Sequence, residues 1–281
     1  MNRTWTTLIG AAELRALLAD GATPVIVDCG FDLADPEAGE RAWREGHLPG
    51  SHYLHLDRDL SGAKTGSNGR HPLPPRQALA ERAGAWGIAP GVQVVCYDAQ
   101  GMPYAARAWW LLRWLGHDAV AVLDGGVAAW TAAGGTLSTE PAVPRPQPPY
   151  PPRPPGMPTV DAATLLANLG RRPVLDARAA ERFRGDVEPL DRVAGHIPGA
   201  LNRFFKDNLQ PDGRLQPAAR LREAFAALHA DPAQLVHQCG SGVTACHNLL
   251  AMEHAGLAGS ALYPGSWSEW CADPARPVAR G

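Results

Sequence analysis

Short apolar runs alternate with amphipathic stretches along this chain, and the alternation recurs. Ala11 to Leu18 and Asp161 to Leu169 space their apolar residues as a helix does. Each leads into a brief apolar strand, Pro24 to Asp28 in the first half and Pro173 to Asp176 in the second. A loop follows, then a second strand (Val92 to Tyr97; Leu235 to Gln238), a longer helix and a third strand. Strands this short and apolar, separated by helices, predict a mostly parallel sheet with helices on both faces. The expected fold class is α/β, present twice. The opening MNRTWTTLIGAAELRALLAD reads as an amphipathic helix, because Glu13 and Arg15 interrupt its apolar stretch.

The two halves match in order as well as in pattern. Asp28 and Asp176 lie 148 positions apart, and Gly46-His47-Leu48-Pro49-Gly50 precedes Gly195-His196-Ile197-Pro198-Gly199 by 149. Asp98 and Cys239, each closing a second strand, differ by 141; Trp130 and Trp270, downstream of Gly125-Gly126 and Gly265-Ser266, differ by 140. Four anchors in one order, with one small deletion, mark a tandem duplication. Between the copies Pro141 to Pro158 holds ten of the 27 prolines, too many for a helix or an inner strand. An extended, semi-rigid spacer is predicted there. The expected organisation is therefore a first domain over 1–140, a linker over 141–158 and a second domain over 159–281.

Composition fits that division. The 281 residues suffice for two cores of about 100 to 150 residues each. With 26 Lys+Arg against 28 Asp+Glu and no run of five like charges, the chain lacks the footprint of a nucleic-acid or anionic-membrane binder. Small molecules and proteins remain as partners. No apolar run approaches the roughly 18 residues of a membrane span, so a cytoplasmic location is expected. The five cysteines, Cys29, Cys96, Cys239, Cys246 and Cys271, are odd in number and form no CxxC pair. They read as free thiols rather than as a disulfide framework or a zinc site.

One of the five sits where chemistry is expected. The strand Leu235 to Gln238 runs at once into Cys239-Gly240-Ser241-Gly242-Val243-Thr244-Ala245 and a helical pattern that ends at Gly256, with Val243, Cys246, Leu249 and Leu250 on one face. A strand, a glycine-rich turn and a helix start aim backbone N–H groups at one point, and a thiol placed there ionises readily. Gly240 and Gly242 leave room for a ligand close to the backbone. The end of a parallel strand is also where α/β folds bind ligands, so Cys239 reads as a nucleophile. Other chemistries fit less well. A phosphatase loop needs an arginine six positions on, where Ala245 stands, and Ser241 lacks the G-x-S-x-G spacing of a hydrolase elbow. A metal site from His237, Cys239, Cys246 and His247 needs strand and helix side chains to converge.

Taken together, the cysteine loop CGSGVTA, GHIPGA upstream, YPGSWSEW downstream and a preceding copy without the cysteine resemble the two-domain rhodanese-like sulfurtransferases over essentially the whole chain. The Gly-Ser-Gly form of the loop is the one seen in 3-mercaptopyruvate sulfurtransferases. The resemblance implies two rhodanese-like domains and transfer of a sulfane sulfur through a Cys239 persulfide, without cofactor or metal. It implies an inert first domain, where Asp98 replaces the cysteine, and a small-molecule donor. The acceptor would be a thiol, cyanide or a thioredoxin-like protein. Arg182 takes the position of the family's substrate arginine, and Arg178 a structural one. Gly240, Gly242, Val243 and Thr244 line the substrate loop.

Ser241 and His47 take the motif positions of a catalytic serine and histidine, with Asp35 as third member. His71, in Arg70-His71-Pro72-Leu73-Pro74, lies by resemblance in a loop near the cleft. One departure concerns the donor: the family's second arginine follows Glu-Pro, whereas here Leu190 follows Glu188-Pro189 and Arg192 comes two residues later. Arg192 is the candidate substitute. Gly240 and Ser241 stand where thiosulfate enzymes carry basic residues, so 3-mercaptopyruvate is the favoured donor. Thiosulfate with cyanide as acceptor is the alternative, and a persulfide carrier without turnover a third reading.

Overall fold

The computed structural model of the chain describes residues 3–281, which divide into two compact units. Of the described residues, the first comprises 3–61, 74–156 and 211–215; the second comprises 62–73, 157–210 and 216–281. Each half of the sequence thus lends a short segment to the other half's unit. The segment carrying Arg70 and His71 belongs with Cys239.

In the first unit the elements are β1 (Leu8–Ile9), α1 (Ala11–Ala19), β2 (Val25–Asp28), α2 (Ala38–Glu45), β3 (Ser51–Tyr53), α3 (Arg76–Ala85), β4 (Val94–Tyr97), α4 (Pro103–Leu115), β5 (Val120–Leu123) and α5 (Gly126–Ala132). They form a five-stranded parallel sheet in the order β1-β5-β4-β2-β3. The amphipathic start therefore holds a strand and a helix. Gly10 ends β1, and its N–H donates to Glu13 Oε2 at 2.9 Å, which caps α1. Ile9, Leu14, Ile26, Val95, Ala121 and Trp130 share one core cluster. Trp109 and Trp110 of α4 are fully buried.

The second unit repeats the plan: α6 (Ala162–Ala167), β6 (Val174–Asp176), α7 (Ala180–Arg184), β7 (Leu201–Asn202), α8 (Ala218–Ala226), β8 (Val236–Gln238), α9 (Thr244–His254), β9 (Ala261–Leu262) and α10 (Ser266–Trp270). Its parallel sheet runs β7-β6-β8-β9, and a parallel bridge from Thr159 to Leu262 stands where β1 stands in the first copy. The fold class expected from the sequence is the one observed. Asp161 caps α6 by accepting from Thr164 N–H at 2.7 Å. Val160, Leu165, Val174, Val236, Trp267 and Trp270 form the core cluster.

The proline-rich segment is not a free spacer. Gln147 N–H donates to Gly84 O at 2.8 Å and Tyr150 N–H to Ala80 O at 2.9 Å, so it straps along α3. A side chain at Gly84 would meet Pro148 O at 2.4 Å, which is why the strap needs glycine there. Among the described residues no helix is long and apolar enough to cross a membrane.

Candidate active site

In the second unit, register brings the chemistry to the C-terminal ends of the two inner strands. β6 and β8 pair in parallel with Asp176 opposite Gln238, so the chain leaves both strands at the same end, and Cys239 is the first residue beyond β8. Two backbone bonds tie this turn to α10: Trp267 N–H donates to Cys239 O and Ser268 N–H to Gly240 O, both at 3.0 Å. Cys239 N–H itself donates to Ser266 Oγ at 3.1 Å. Ser266 is one of two non-glycine residues with positive φ among the described residues, at +55°. A residue held there costs of order 1 kcal/mol and needs compensation; its hydroxyl supplies it by serving Cys239 and donating to Tyr263 O at 3.0 Å.

The Cys239 side chain is only 2% exposed. Gly242 N–H donates to Sγ at 3.1 Å, and α9 begins two residues later, so a helix N-terminus and an aimed N–H both face the sulfur. Gly242 has φ +75°, and a Cβ there would lie 2.4 Å from Pro264 O. Val243 is buried and its carbonyl accepts from Cys246 N–H at 3.0 Å. Thr244 opens the helix, and Cys246 is a core thiol whose sulfur lies 3.2 Å from Gly242 O.

Ser241 Oγ lies 2.7 Å from Nδ1 of His71, and both residues are buried. The histidine beside this serine is therefore His71, not His47. His47 belongs to the first unit, where Nδ1 lies 2.7 Å from Trp43 O and Nε2 lies 2.9 Å from Glu140 O. Both nitrogens are occupied by backbone carbonyls, one in α2 and one in the segment after α5, and its ring stacks on Trp43 at 4.4 Å. Asp35 is exposed and pairs with Arg41, which lowers its carboxyl pKa.

Around the loop the arginines separate by role. Arg178 is buried, binds Asp176 through Nη2 at 2.6 Å and Gly195 O at 2.8 Å, and lies over the Trp267 ring. Burial works against its charge, but Asp176, Glu188 and the Cys239 sulfur more than offset this. Arg182 is 19% exposed at its side chain and donates from Nη2 to Glu188 Oε1 at 2.6 Å. For Glu188 burial acts upward, yet the hydrogen bonds from Arg182 and from the N–H groups of Leu190 and Asp191 hold its carboxyl below the usual range. Arg192 is exposed, and its segment turns Asp191 inward instead. The substitution of Arg192 for a second substrate arginine is not seen.

Two residues to which the sequence assigns no role stand in the site. Arg70 binds Asp191 through Nη1, and its N–H donates to Ser268 Oγ at 3.0 Å. Asp191 also lies 3.5 Å from Arg182 Nη2, and burial raises its carboxyl pKa. The adjacency of Arg70 to His71 is the one sequence signal that pointed to the former. Among the described residues no group of three His, Cys, Asp or Glu side chains is placed to hold a metal.

The corresponding point of the first unit is closed by its own side chain. The buried Asp98 carboxylate accepts from the N–H groups of Gln100, Met102, Tyr104 and Ala105 at 2.7 to 3.0 Å. Burial raises its pKa in spite of these four bonds.

The chain is similar to known proteins in sequence and in fold. The family model described as Rhodanese-like domain matches residues 10–133 and 161–273. A protein of Pseudomonas aeruginosa named "Probable 3-mercaptopyruvate sulfurtransferase" is 50% identical over 280 residues, covering 98% of each chain. A Mycobacterium tuberculosis (strain H37Rv) protein provisionally named a thiosulfate sulfurtransferase is 40% identical over 293 residues, covering 100% of this chain and 99% of its own. The solved 3-mercaptopyruvate sulfurtransferase from Leishmania major superposes with a TM-score of 0.84 at 32% identity, covering 94% of this chain and 74% of that one.

Proposed function

We propose, since the chain belongs to the rhodanese-like family of sulfurtransferase enzymes, that it moves a sulfane sulfur from 3-mercaptopyruvate to a thiol acceptor through Cys239. The observation that carries this reading is the Cys239 sulfur under the Gly242 N–H at the mouth of α9, with Ser241 and His71 paired beside it.

The chemistry balances with these groups alone. The Cys239 thiolate attacks the donor's sulfur, the S–S bond forms, and the carbon–sulfur bond breaks with its electron pair moving into pyruvate enolate. The donor's own thiol proton, relayed by way of Ser241 and His71, converts the enolate to pyruvate. An acceptor thiolate then attacks the outer sulfur of the Cys239 persulfide, and Cys239 leaves as thiolate. Arg182 holds the donor's carboxylate, because a guanidinium fork matches two carboxylate oxygens. Gly240, Gly242, Val243 and Thr244 shape the loop around it. His71 takes the role that the sequence reading gave to His47.

In the first unit Asp98 fills its own ring of N–H groups and cannot carry a persulfide, so that unit is inert in this reading. Five free cysteines are consistent with a reducing, cytoplasmic setting. Cyanide and thioredoxin-like proteins are candidate acceptors beside small thiols. The relative named for thiosulfate favours that donor as the second reading.

The test is intact mass after exposure to donor: an adduct of about 32 Da, one sulfur atom, is expected on the wild type and not on Cys239→Ser. Comparing kcat/KM for the two donors decides between them, since donor preference is a difference in transition-state binding. A higher value for thiosulfate overturns the 3-mercaptopyruvate assignment, and absence of multiple turnover with either donor leaves the carrier reading.

A further inference from the structure

We propose that Arg70, acting with Arg182, binds the anionic end of the sulfur donor beside Gly240. This rests on the sulfurtransferase reading above. It assigns a specificity role to a residue outside the cysteine loop and outside the segment that carries Arg182.

The geometry is local and specific. A Cβ added to Gly240 would lie 2.7 Å from Arg70 Nη2, 3.6 Å from Arg182 Nη2 and 3.7 Å from Arg182 Nη1. Two guanidinium groups therefore flank one small space next to the residue that follows the nucleophile. Glycine leaves that space unfilled. Both cations are fixed from behind: Asp191 binds Arg70 Nη1 with one oxygen and stands 3.5 Å from Arg182 Nη2 with the other, while Glu188 holds Arg182. Ser268 Oγ fixes the Arg70 backbone, and Ser268 N–H is bound in turn to Gly240 O. Arg70 and the cysteine loop thus share a support, so the distance from guanidinium to loop is set by the fold.

The second guanidinium adds directed donors rather than net charge, since Asp191 and Glu188 already offset Arg70 and Arg182, and Asp176 offsets Arg178. Two guanidinium groups converging on one point supply paired N–H donors for two oxygens of a carboxylate or sulfonate. Asp191 is a positioning residue in this scheme, holding the Arg70 fork toward Gly240.

The reaction proposed above has two half-reactions, and the split provides the test. With dithiothreitol, an uncharged acceptor, donor kcat/KM reports the step in which Cys239 takes the sulfur, and acceptor kcat/KM the step in which it gives the sulfur up. Arg70→Met is expected to lower donor kcat/KM for 3-mercaptopyruvate about 50-fold, the scale of a lost charge-assisted contact, with acceptor kcat/KM within about twofold of wild type. Arg70→Lys, which keeps the charge and loses the fork, is expected to recover about half of that loss on a logarithmic scale.

Gly240→Ala, which fills the space without removing either cation, is expected to lower the same parameter about tenfold or more. Should the methionine variant not fold, the lysine and alanine variants carry the test. Thiosulfate, assayed in parallel, distinguishes the donor's anion: equal losses for both donors support a general anion site, and a loss confined to 3-mercaptopyruvate a carboxylate site. Unchanged donor kcat/KM in the folded variants, or equal losses for donor and acceptor, overturns the role of Arg70. If the wild type turns over neither donor, it is the sulfurtransferase reading that falls.

Discussion

At the scale of single residues, Gly242 meets two demands at once. Its φ of +75° lies in the left-handed region, and a Cβ would enter the Pro264 carbonyl at 2.4 Å. Gly242→Ala is therefore expected to cost about 2 kcal/mol or more, read as a lower midpoint of thermal or urea unfolding. It also moves the N–H that faces the Cys239 sulfur, so activity falls with stability. His71 and His47 make a contrasting pair. His71→Ala is expected to lower donor kcat/KM about 100-fold, the usual range for a lost proton relay. His47→Ala is expected to lower the unfolding midpoint while leaving that parameter near wild type, because its contacts are Trp43 and Glu140 carbonyls. Equal activity losses in both variants would refute the assignment. The motif GHLPG singled out His47 in the sequence, but backbone carbonyls of α2 and of the segment after α5 take both its ring nitrogens. His196, at the duplicated position, behaves alike, with Nδ1 2.8 Å from Phe183 O.

At the scale of elements, β8 carries a feature with a pH consequence. His237 is fully buried, and neither ring nitrogen has a hydrogen-bond partner among the described residues. Burial pushes its pKa down to about 3. An unfolded histidine takes up its proton near pH 6.5, whereas the folded one refuses it until far lower. Between those values the unfolded state binds more protons, so stability falls as pH falls. From neutral pH to about pH 4 the expected loss is of order 3 kcal/mol. His237→Leu should flatten this acid limb relative to wild type, measured as unfolding free energy against pH; parallel profiles would count against it. The elements themselves were largely legible. Apolar runs marked β2, β4, β6 and β8, and helical spacing marked α1, α6 and α9. The two-residue β1 escaped, because Leu8 and Ile9 also fit the helical pattern of the residues after them and only pairing with β5 makes them a strand.

At the scale of the whole molecule, the two copies carry different residues at corresponding points. The offset of 148 that aligns Asp28 with Asp176 sets Gly30 against Arg178 and Ala34 against Arg182, and Asp98 stands against Cys239. Restoring the thiol alone should therefore not restore chemistry. Asp98→Cys in a Cys239→Ser background is expected to gain no 32 Da adduct with 3-mercaptopyruvate, and is expected to be destabilised by about 2 kcal/mol or more, because four N–H groups lose their carboxylate. An adduct on residue 98 would show that a thiol at a strand end suffices.

Sequence by itself determined the repeat, the α/β class and the position of Cys239 directly after a strand. Each depends on local pattern: periodicity sets the element, order sets the topology, and a strand, a Gly-rich turn and a helix start in immediate succession aim N–H groups at one thiol. Tertiary structure alone decided what surrounds that thiol. Arg70 and His71 reach Cys239 from a segment about 170 residues earlier in the chain, an exchange between halves that no periodicity records. Whether Asp191 or Arg192 turns inward depends on which finds a buried partner. Asp191 has two guanidinium groups to meet, and Arg192, with an aqueous face open to it, stays in water.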